Sequence, residues 1–158
     1  MTKVLVRVAT LTDIDALVQL MRSFYAESSF ELPEQNASRA FEALLDDSRL
    51  GQVWMIEEDG HPSGFVVLTV SFSMEYGGLR GFVDDFYIEP QSRNRGLGHA
   101  ALEEVKRACR RRGVRALVVE TGPQNAAAVS AYRSVGFTET GRTILALPLA
   151  APVHHPHP

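Results

Sequence analysis

The sequence predicts an α/β (α+β) chain built on one mixed, mostly antiparallel sheet. Three observations predict it. Short β-branched and aromatic runs at 53–57, 64–72 and 79–89 follow one another across tight turns, so three consecutive strands pair antiparallel. A long amphipathic stretch after Gly98 separates the third run from another apolar run, Ala116–Thr121. Strand, helix, strand in that order makes a right-handed crossover and a parallel pair.

In chain order, Lys3–Ala9 alternates as a first strand. Thr10-Leu11-Thr12-Asp13 fits the capping-box spacing, and Ile14, Leu17, Val18 and Met21 fall on one face of the helix that follows. That helix fades near Ser28. Pro33 and Asn36 mark a second start, with Ala40, Phe41, Leu44 and Leu45 as its apolar side. Asp59-Gly60 is a hairpin turn between the runs at 53–57 and 64–72, and Gly77-Gly78 turns the chain into 79–89. The helix after Gly98 buries Ala101, Leu102, Val105, Ala108 and Cys109. It stops at Arg110-Arg111-Arg112-Gly113, a cationic last turn followed by glycine. Asn125–Val135 is the fourth helix, and Phe137–Thr140 with Thr143–Leu149 reads as a closing hairpin. The count is about seven strands and about four helices, in one domain over 1–149. The Pro- and His-containing segment 150–158 is expected to be a disordered tail, although His154, His155 and His157 are also metal-capable side chains.

Composition narrows the function. At 158 residues, 45% hydrophobic and 22% charged, the chain has material for one full core. The net charge of −3 speaks against nucleic acid as main partner, and the arginine run 110–112 is explained by helix capping. No run reaches the roughly 20 apolar residues of a membrane span. The N-terminus lacks a secretory pattern, and the single Cys109, placed on an apolar stripe, fits a reducing cytoplasm and a core role.

The chemistry concentrates in Phe82–Ala101. Pro90 ends the strand, and Arg93-Asn94-Arg95-Gly96-Leu97-Gly98-His99 leads directly into a helix. A helix start offers unpaired N–H groups and the positive end of its dipole, so it suits an anion. Gly96 and Gly98 are expected to let the backbone approach that anion, with Arg93 and Arg95 adding charge. The guest this suits is a phosphate or diphosphate. The dinucleotide fingerprint needs a third glycine and a downstream acid, and the nucleotide-hydrolase loop needs GxxxxGK[ST]. Neither is present.

The run R-x-x-G-x-G after a strand resembles the acyl-coenzyme A signature of the GNAT superfamily of N-acetyltransferases. Farther on, Asn125-Ala126-Ala127-Ala128-Val129-Ser130-Ala131-Tyr132 followed by Gly136-Phe137 resembles that superfamily's N-x-x-A-x-x-x-Y and GF run. The two motifs stand in the family's order, and the resemblance spans residues 3–149. It implies a central parallel pair of strands that splay apart, with the thioester of acetyl-CoA entering the gap. It implies that the loop Arg93–His99 seats the diphosphate, and that the strand at Phe86, Tyr87 and Ile88 runs beside the pantetheine arm. On the last helix, Asn125 and Tyr132 are seven apart, two turns and about 10 Å along the axis, with the small Ala128 between them. The resemblance makes Asn125 and Ala128 cofactor contacts and Tyr132 the general acid for the departing thiolate. Without it, Tyr132 reads as a helix tyrosine packed on the sheet. No metal is implied, since acyl transfer from a thioester needs none.

The amine must lose a proton to attack. For a lysine-like amine this costs roughly 4.6 kcal/mol at pH 7. Asp84 and Asp85 are adjacent on the strand, and alternation lets at most one of them enter a given pocket. The run Val83–Ile88 looks like that of the diamine acetyltransferase branch, where Asp84 occupies the place of the proposed base. A solvent-facing aspartate beside an arginine-paired one is the other reading. Acidic residues in expected pocket segments (Glu27, Glu31, Glu34, Glu75) and the aromatic segment 22–35 point to a small cationic acceptor: a polyamine, an aminoglycoside-like amine or another metabolite. A peptide or protein amine, and a CoA-binding module without turnover, are the alternatives. Dimers are common among relatives, so a homodimer is an analogy at this point.

Overall fold

The computed structural model describes residues 1–29, 33–122 and 125–150. Phe30, Glu31 and the three tail histidines lie outside the described residues. Five strands form one sheet in sequence order: β1 (Val4–Val8), β2 (Gly51–Glu58), β3 (His61–Ser73), β4 (Gly78–Ile88) and β5 (Ala116–Val119). The first four pair antiparallel and β4–β5 is parallel. Four helices flank them: α1 (Ile14–Glu27), α2 (Glu34–Asp46), α3 (Leu97–Arg112) and α4 (Ala126–Ser134). The expected α/β class and the strand–helix–strand crossover are present.

The strand count differs from the expected seven. Residues 137–149 form no strand, so the closing hairpin is absent among the described residues. Their alternation is real, but a strand exists only with a paired neighbour, and in this chain nothing lies alongside. The first helix also begins differently. A 3-10 turn, Leu11–Asp13, precedes α1, and the Asp13 carboxylate accepts the Thr10 N–H at 2.8 Å while both its oxygens accept from Arg7. Arg7 also reaches Glu57, so one guanidinium ties β1, the turn and β2 together.

Strand β2 is buried on both faces, and successive residues go to different layers. Trp54 and Ile56 join Val66, Leu68, Val83 and the apolar side of α3 and α4. Val53 and Met55 join Phe65, Val67, Tyr87 and the apolar sides of α1 and α2. The sheet is therefore the middle of three layers, as a mixed sheet covered on both faces must be. Cys109 is 3% exposed within the α3 side, and burial lifts its thiol to about 11, so it packs as a hydrophobe. Gly113 (φ +82°) closes α3, with its N–H on Arg110 O and the Val114 N–H on Cys109 O.

Candidate active site

The site begins at an irregularity in β4. Val67 stands opposite Asp85 but Leu68 stands opposite Val83, so Asp84 is an extra residue, a β-bulge. Before it Val83 faces the α3 layer, and after it Phe86 and Ile88 do. The bulge thus shifts the alternation by one. It also ends the parallel pairing: β4 and β5 are joined from Arg80/Ala116 to Val83/Val119 and no farther. Beyond that point the strands part, as the splayed pair implied, and Asp84–Ile88 has no β5 neighbour.

Between the end of β4, the start of α3 and α4 lies a cleft of about 270 Å³. Its walls include Phe86, Tyr87 and Ile88 of β4, Asn94, Gly96, Leu97, Gly98 and His99 at the start of α3, and Asn125, Ala128 and Ala131 of α4. The loop bends through two left-handed residues, Asn94 (φ +61°) and Gly96 (φ +80°), and its second bend is the N-cap of α3. Asparagine and glycine tolerate that region best. A Cβ on Gly96 would meet nothing within 4 Å, so the conformation, not space, calls for glycine there.

Gly98 lines the cleft and has a packing reason of its own. A Cβ there would sit 3.1 Å from Phe86 Cζ, 3.4 Å from Ile88 Cδ1 and 3.5 Å from Ala131 Cβ. Its missing side chain lets α3 close on β4 and α4, so it shapes the cleft floor by packing. His99 Nδ1 lies 3.0 Å from Ser134 Oγ, and Ser134 spends its own proton on Ala131 O at 2.6 Å, which makes Nδ1 the donor.

The two arginines are already engaged. Arg93 donates to both oxygens of Glu27 at 2.8 Å and to Ile88 O at 2.8 Å, and it stands over the Tyr87 ring. It lines the cleft as half of an ion pair that joins α1 to the loop. Arg95 donates to Glu58 at 2.6 Å and to Gln91 O, standing back from the cleft wall. The anion-favouring field of the loop therefore comes chiefly from N–H groups and the α3 dipole.

On α4, the Asn125 side chain accepts the Ala128 N–H at 3.4 Å and so caps the helix. Asn125 and Ala128 line the cleft. Tyr132 stands behind that wall, 7% exposed, with Phe86 at 5.6 Å and Phe137 at 5.5 Å between ring centroids. Burial, and then the nearby Asp85 charge, push its phenol above the ordinary value.

Of the carboxylates expected in the pocket, Glu27 lines the cleft, while Glu34 and Glu75 stand away from it. Glu27 pairs with Arg93, Glu34 with Arg22, and Glu75 with Arg142 at the β3–β4 turn. The acid of the site comes from elsewhere. Asp85 is half-buried and hydrogen-bonded to the Tyr25 phenol. Its carboxyl is pushed up to about 7, first by burial and then by the Asp84 charge, while the Tyr25 bond opposes the rise. Asp84 is raised by burial and by Glu120. The Tyr25 phenol is pushed up by burial and then by the charges of Asp85 and Asp84. Asp84, the bulge residue, is exposed and Asp85 is half-buried beside it, so the neighbours differ in depth although each feels another carboxylate. Tyr25 belongs to the aromatic segment that the sequence placed at the acceptor pocket, whereas Glu120 and the depth of Asp85 were not foreseen. The Asp-Asp pair was visible, but the bulge at Asp84 that sets their depths apart was not.

Among the described residues no group of three or more His, Cys, Asp or Glu is arranged to hold a metal, and no helix is long and apolar enough to cross a membrane. A family model described as Acetyltransferase (GNAT) family matches residues 14–137. An aminoglycoside N(6')-acetyltransferase type 1 of Stenotrophomonas maltophilia is 28% identical over 142 residues, covering 88% of this chain and 89% of that one. Its namesake from Klebsiella aerogenes is 30% identical over 89 residues, 55% of this chain and 59% of that protein's length. Among solved structures, an integron cassette protein from the mobile metagenome of Cole Harbour Salt Marsh is 50% identical, with a TM-score of 0.87 over 94% of this chain and 92% of that one. An aminoglycoside N-acetyltransferase in complex with CoA shares the fold, at TM-score 0.81 and 18% identity over 95% and 97% of the two chains. With the fold, the cleft and the family match in agreement, the chain belongs to the acetyltransferase (GNAT) family and is an acetyl-CoA-dependent N-acetyltransferase.

Proposed function

We propose that the acceptor is a primary amine on a small polycation of the aminoglycoside class. The observation that carries this reading is the convergence of Asp84, Asp85 and Glu120 where β4 and β5 part, with Tyr25 and Tyr132 beside them. Several ammonium groups on one ligand match several carboxylates at one mouth. The relative from Stenotrophomonas maltophilia is named for that substrate class.

In this reading the N–H groups of Leu97, Gly98 and His99 and the α3 dipole hold the diphosphate of acetyl-CoA, with Asn94 and Gly96 shaping the turn. Arg93 and Arg95 keep the loop in place through Glu27 and Glu58. Phe86, Tyr87 and Ile88 flank the pantetheine arm on one side and Asn125 and Ala128 on the other. The amine nitrogen attacks the thioester carbonyl, and its proton passes through water to the Asp84–Asp85 pair, with Asp85 the deeper member. A carboxyl of pKa about 7 is half ionised at neutral pH and is a better base than an ordinary aspartate. As the carbon–sulfur bond breaks, the electron pair leaves on sulfur, and the Tyr132 phenol donates a hydrogen bond to it. Because that phenol is raised, it stays protonated throughout the physiological range.

The test is thiol release from acetyl-CoA with aminoglycosides, linear polyamines, amino acids and short peptides as acceptors. Turnover is expected with aminoglycosides at the highest kcat/KM. Turnover with peptides alone would reject the polycation reading, and CoA binding without any turnover would reject catalysis by these residues.

A further inference from the structure

The proposed reaction leaves one member of the gap without a role. Tyr25 stands half-buried on the last turn of α1, and its phenol is hydrogen-bonded to the Asp85 carboxylate. Asp85 follows the bulge at Asp84, where the ladder to β3 is interrupted. Among the described residues no arginine, lysine or histidine pairs with it. The titratable groups around it are anionic or phenolic: Asp84 beside it on β4, Glu120 acting on Asp84 from just past β5, Tyr25 from α1 and Tyr132 from α4. From β3 it faces Val67, which carries no charge. A base in such a place has no cation to orient it.

Tyr25 is itself well held. Its ring meets Phe24 edge-on at 5.4 Å, and Phe24 stacks on Tyr87 at 5.3 Å and meets Phe65 at 6.3 Å. Two residues farther on, both oxygens of Glu27 accept from Arg93 at 2.8 Å. The end of α1 is thereby fixed to the sheet and to the loop before α3. Burial and then the two aspartate charges push the Tyr25 phenol up, so it keeps its proton and serves as a donor, not as a base.

We propose that Tyr25 is the positioning residue of the base: its O–H holds one oxygen of Asp85 and leaves the other turned to the gap to receive the proton of the amine. This rests on Asp85 being the base of the proposed reaction. In that step an N–H bond of the amine breaks, the proton passes through water, and an O–H bond forms on the second Asp85 oxygen. The Tyr25 O–H bond stays intact. A donor on a carboxylate favours its ionised form, so Tyr25 also keeps Asp85 available at neutral pH against the burial that works to neutralise it.

Two variants test this from opposite sides. Tyr25→Phe keeps the ring and removes the donor, whereas 3-fluorotyrosine placed at position 25 keeps the ring and makes the hydroxyl a stronger donor. The readouts are the carboxyl carbon resonance of Asp85, assigned by its loss in Asp85→Asn, and the pH profile of kcat/KM with neamine and acetyl-CoA. Wild type is expected to titrate at about 7 in both. In Tyr25→Phe both midpoints rise by about one pH unit, and kcat falls about 10-fold, with acetyl-CoA affinity unchanged. With 3-fluorotyrosine both midpoints move down. If Tyr25→Phe lowers the thermal midpoint, the fluorotyrosine protein decides, since it loses no group. An Asp85 resonance that titrates alike in all three proteins overturns the proposal, whatever the turnover. A rate limb that vanishes in Asp85→Asn but stays in place in both Tyr25 variants rejects the role of Tyr25 and leaves Asp85 as the base. A resonance that moves while the rate limb does not rejects Asp85 as the base, and the role of Tyr25 with it.

Discussion

The loop that lines the cleft and the gap where β4 and β5 part are built on opposite principles. At the loop end, positive side chains are abundant but spent: Arg93 on Glu27 and Arg95 on Glu58. What remains for an anion is backbone, the first N–H groups of α3 and the left-handed turn at Asn94 and Gly96. At the gap end, the groups are side chains of like charge: burial and then the Asp84 charge raise Asp85, and burial and then the Glu120 charge raise Asp84. A cosubstrate with a constant diphosphate can be held by fixed N–H groups that cost nothing to orient. An amine that must be deprotonated needs a titrating group, and only crowded, partly buried carboxylates titrate near neutrality.

The sharpest way to break this comparison is at the gap. Asp85→Asn is expected to lower kcat/KM about 10²- to 10⁴-fold and to remove the limb of the pH–rate profile near 7. An unchanged limb in that variant would assign it to another group. The same carboxyl predicts a stability trend. Its folded value of about 7 lies above its ordinary 3.8, so the stabilising contribution is complete below about 4 and is lost as pH rises through 7. Wild type should therefore lose stability relative to Asp85→Asn between pH 4 and pH 8, read by denaturant titration.

Tyr132→Phe comes next, with an expected fall in kcat of about 10- to 100-fold and no change in acetyl-CoA affinity, since the ring packing is kept. Asp84→Asn should affect rate less and position more. Removing its charge lets Asp85 ionise at lower pH, so the acid limb moves down and KM for a polycation rises severalfold. Glu120→Gln, more remote from Asp85, should raise KM less.

At the loop end the expected losses are structural. Gly98→Ala puts a methyl 3.1 Å from Phe86 Cζ, and overpacking of this kind costs about 1–3 kcal/mol, read as a fall in thermal midpoint. Gly96→Ala meets no atoms but imposes φ +80° on a Cβ, a cost of about 1–2 kcal/mol. If Gly98→Ala proved the milder of the two, close packing would not be the reason for glycine there.

Much of this molecule is legible in the chain itself. Local chemistry sets local structure: the Asp59-Gly60 turn, the Gly113 stop after three arginines and the period of each helix depend on neighbours a few residues away. The strand–loop–helix at 82–101 was readable for the same reason. The acceptor end was not. Asp85 differs from Asp84 only through the bulge opposite Val67 and Leu68, a register fact set by two strands together. Tyr25 and Glu120 reach the site from the end of α1 and from just past β5, far apart along the chain. Likewise the alternation at 137–149 signals strand capacity, but capacity becomes a strand only where an edge is presented.

What the sequence by itself determined, then, is the set of elements, the glycine-bearing turn before α3 and the family to which they belong, because each depends on contacts within one or two turns of chain. What only the tertiary structure decided is which carboxylates meet, which arginines are already neutralised and which glycine is there for packing. Those follow from distances between residues on different elements, and burial and charge act through such distances without regard to order along the chain.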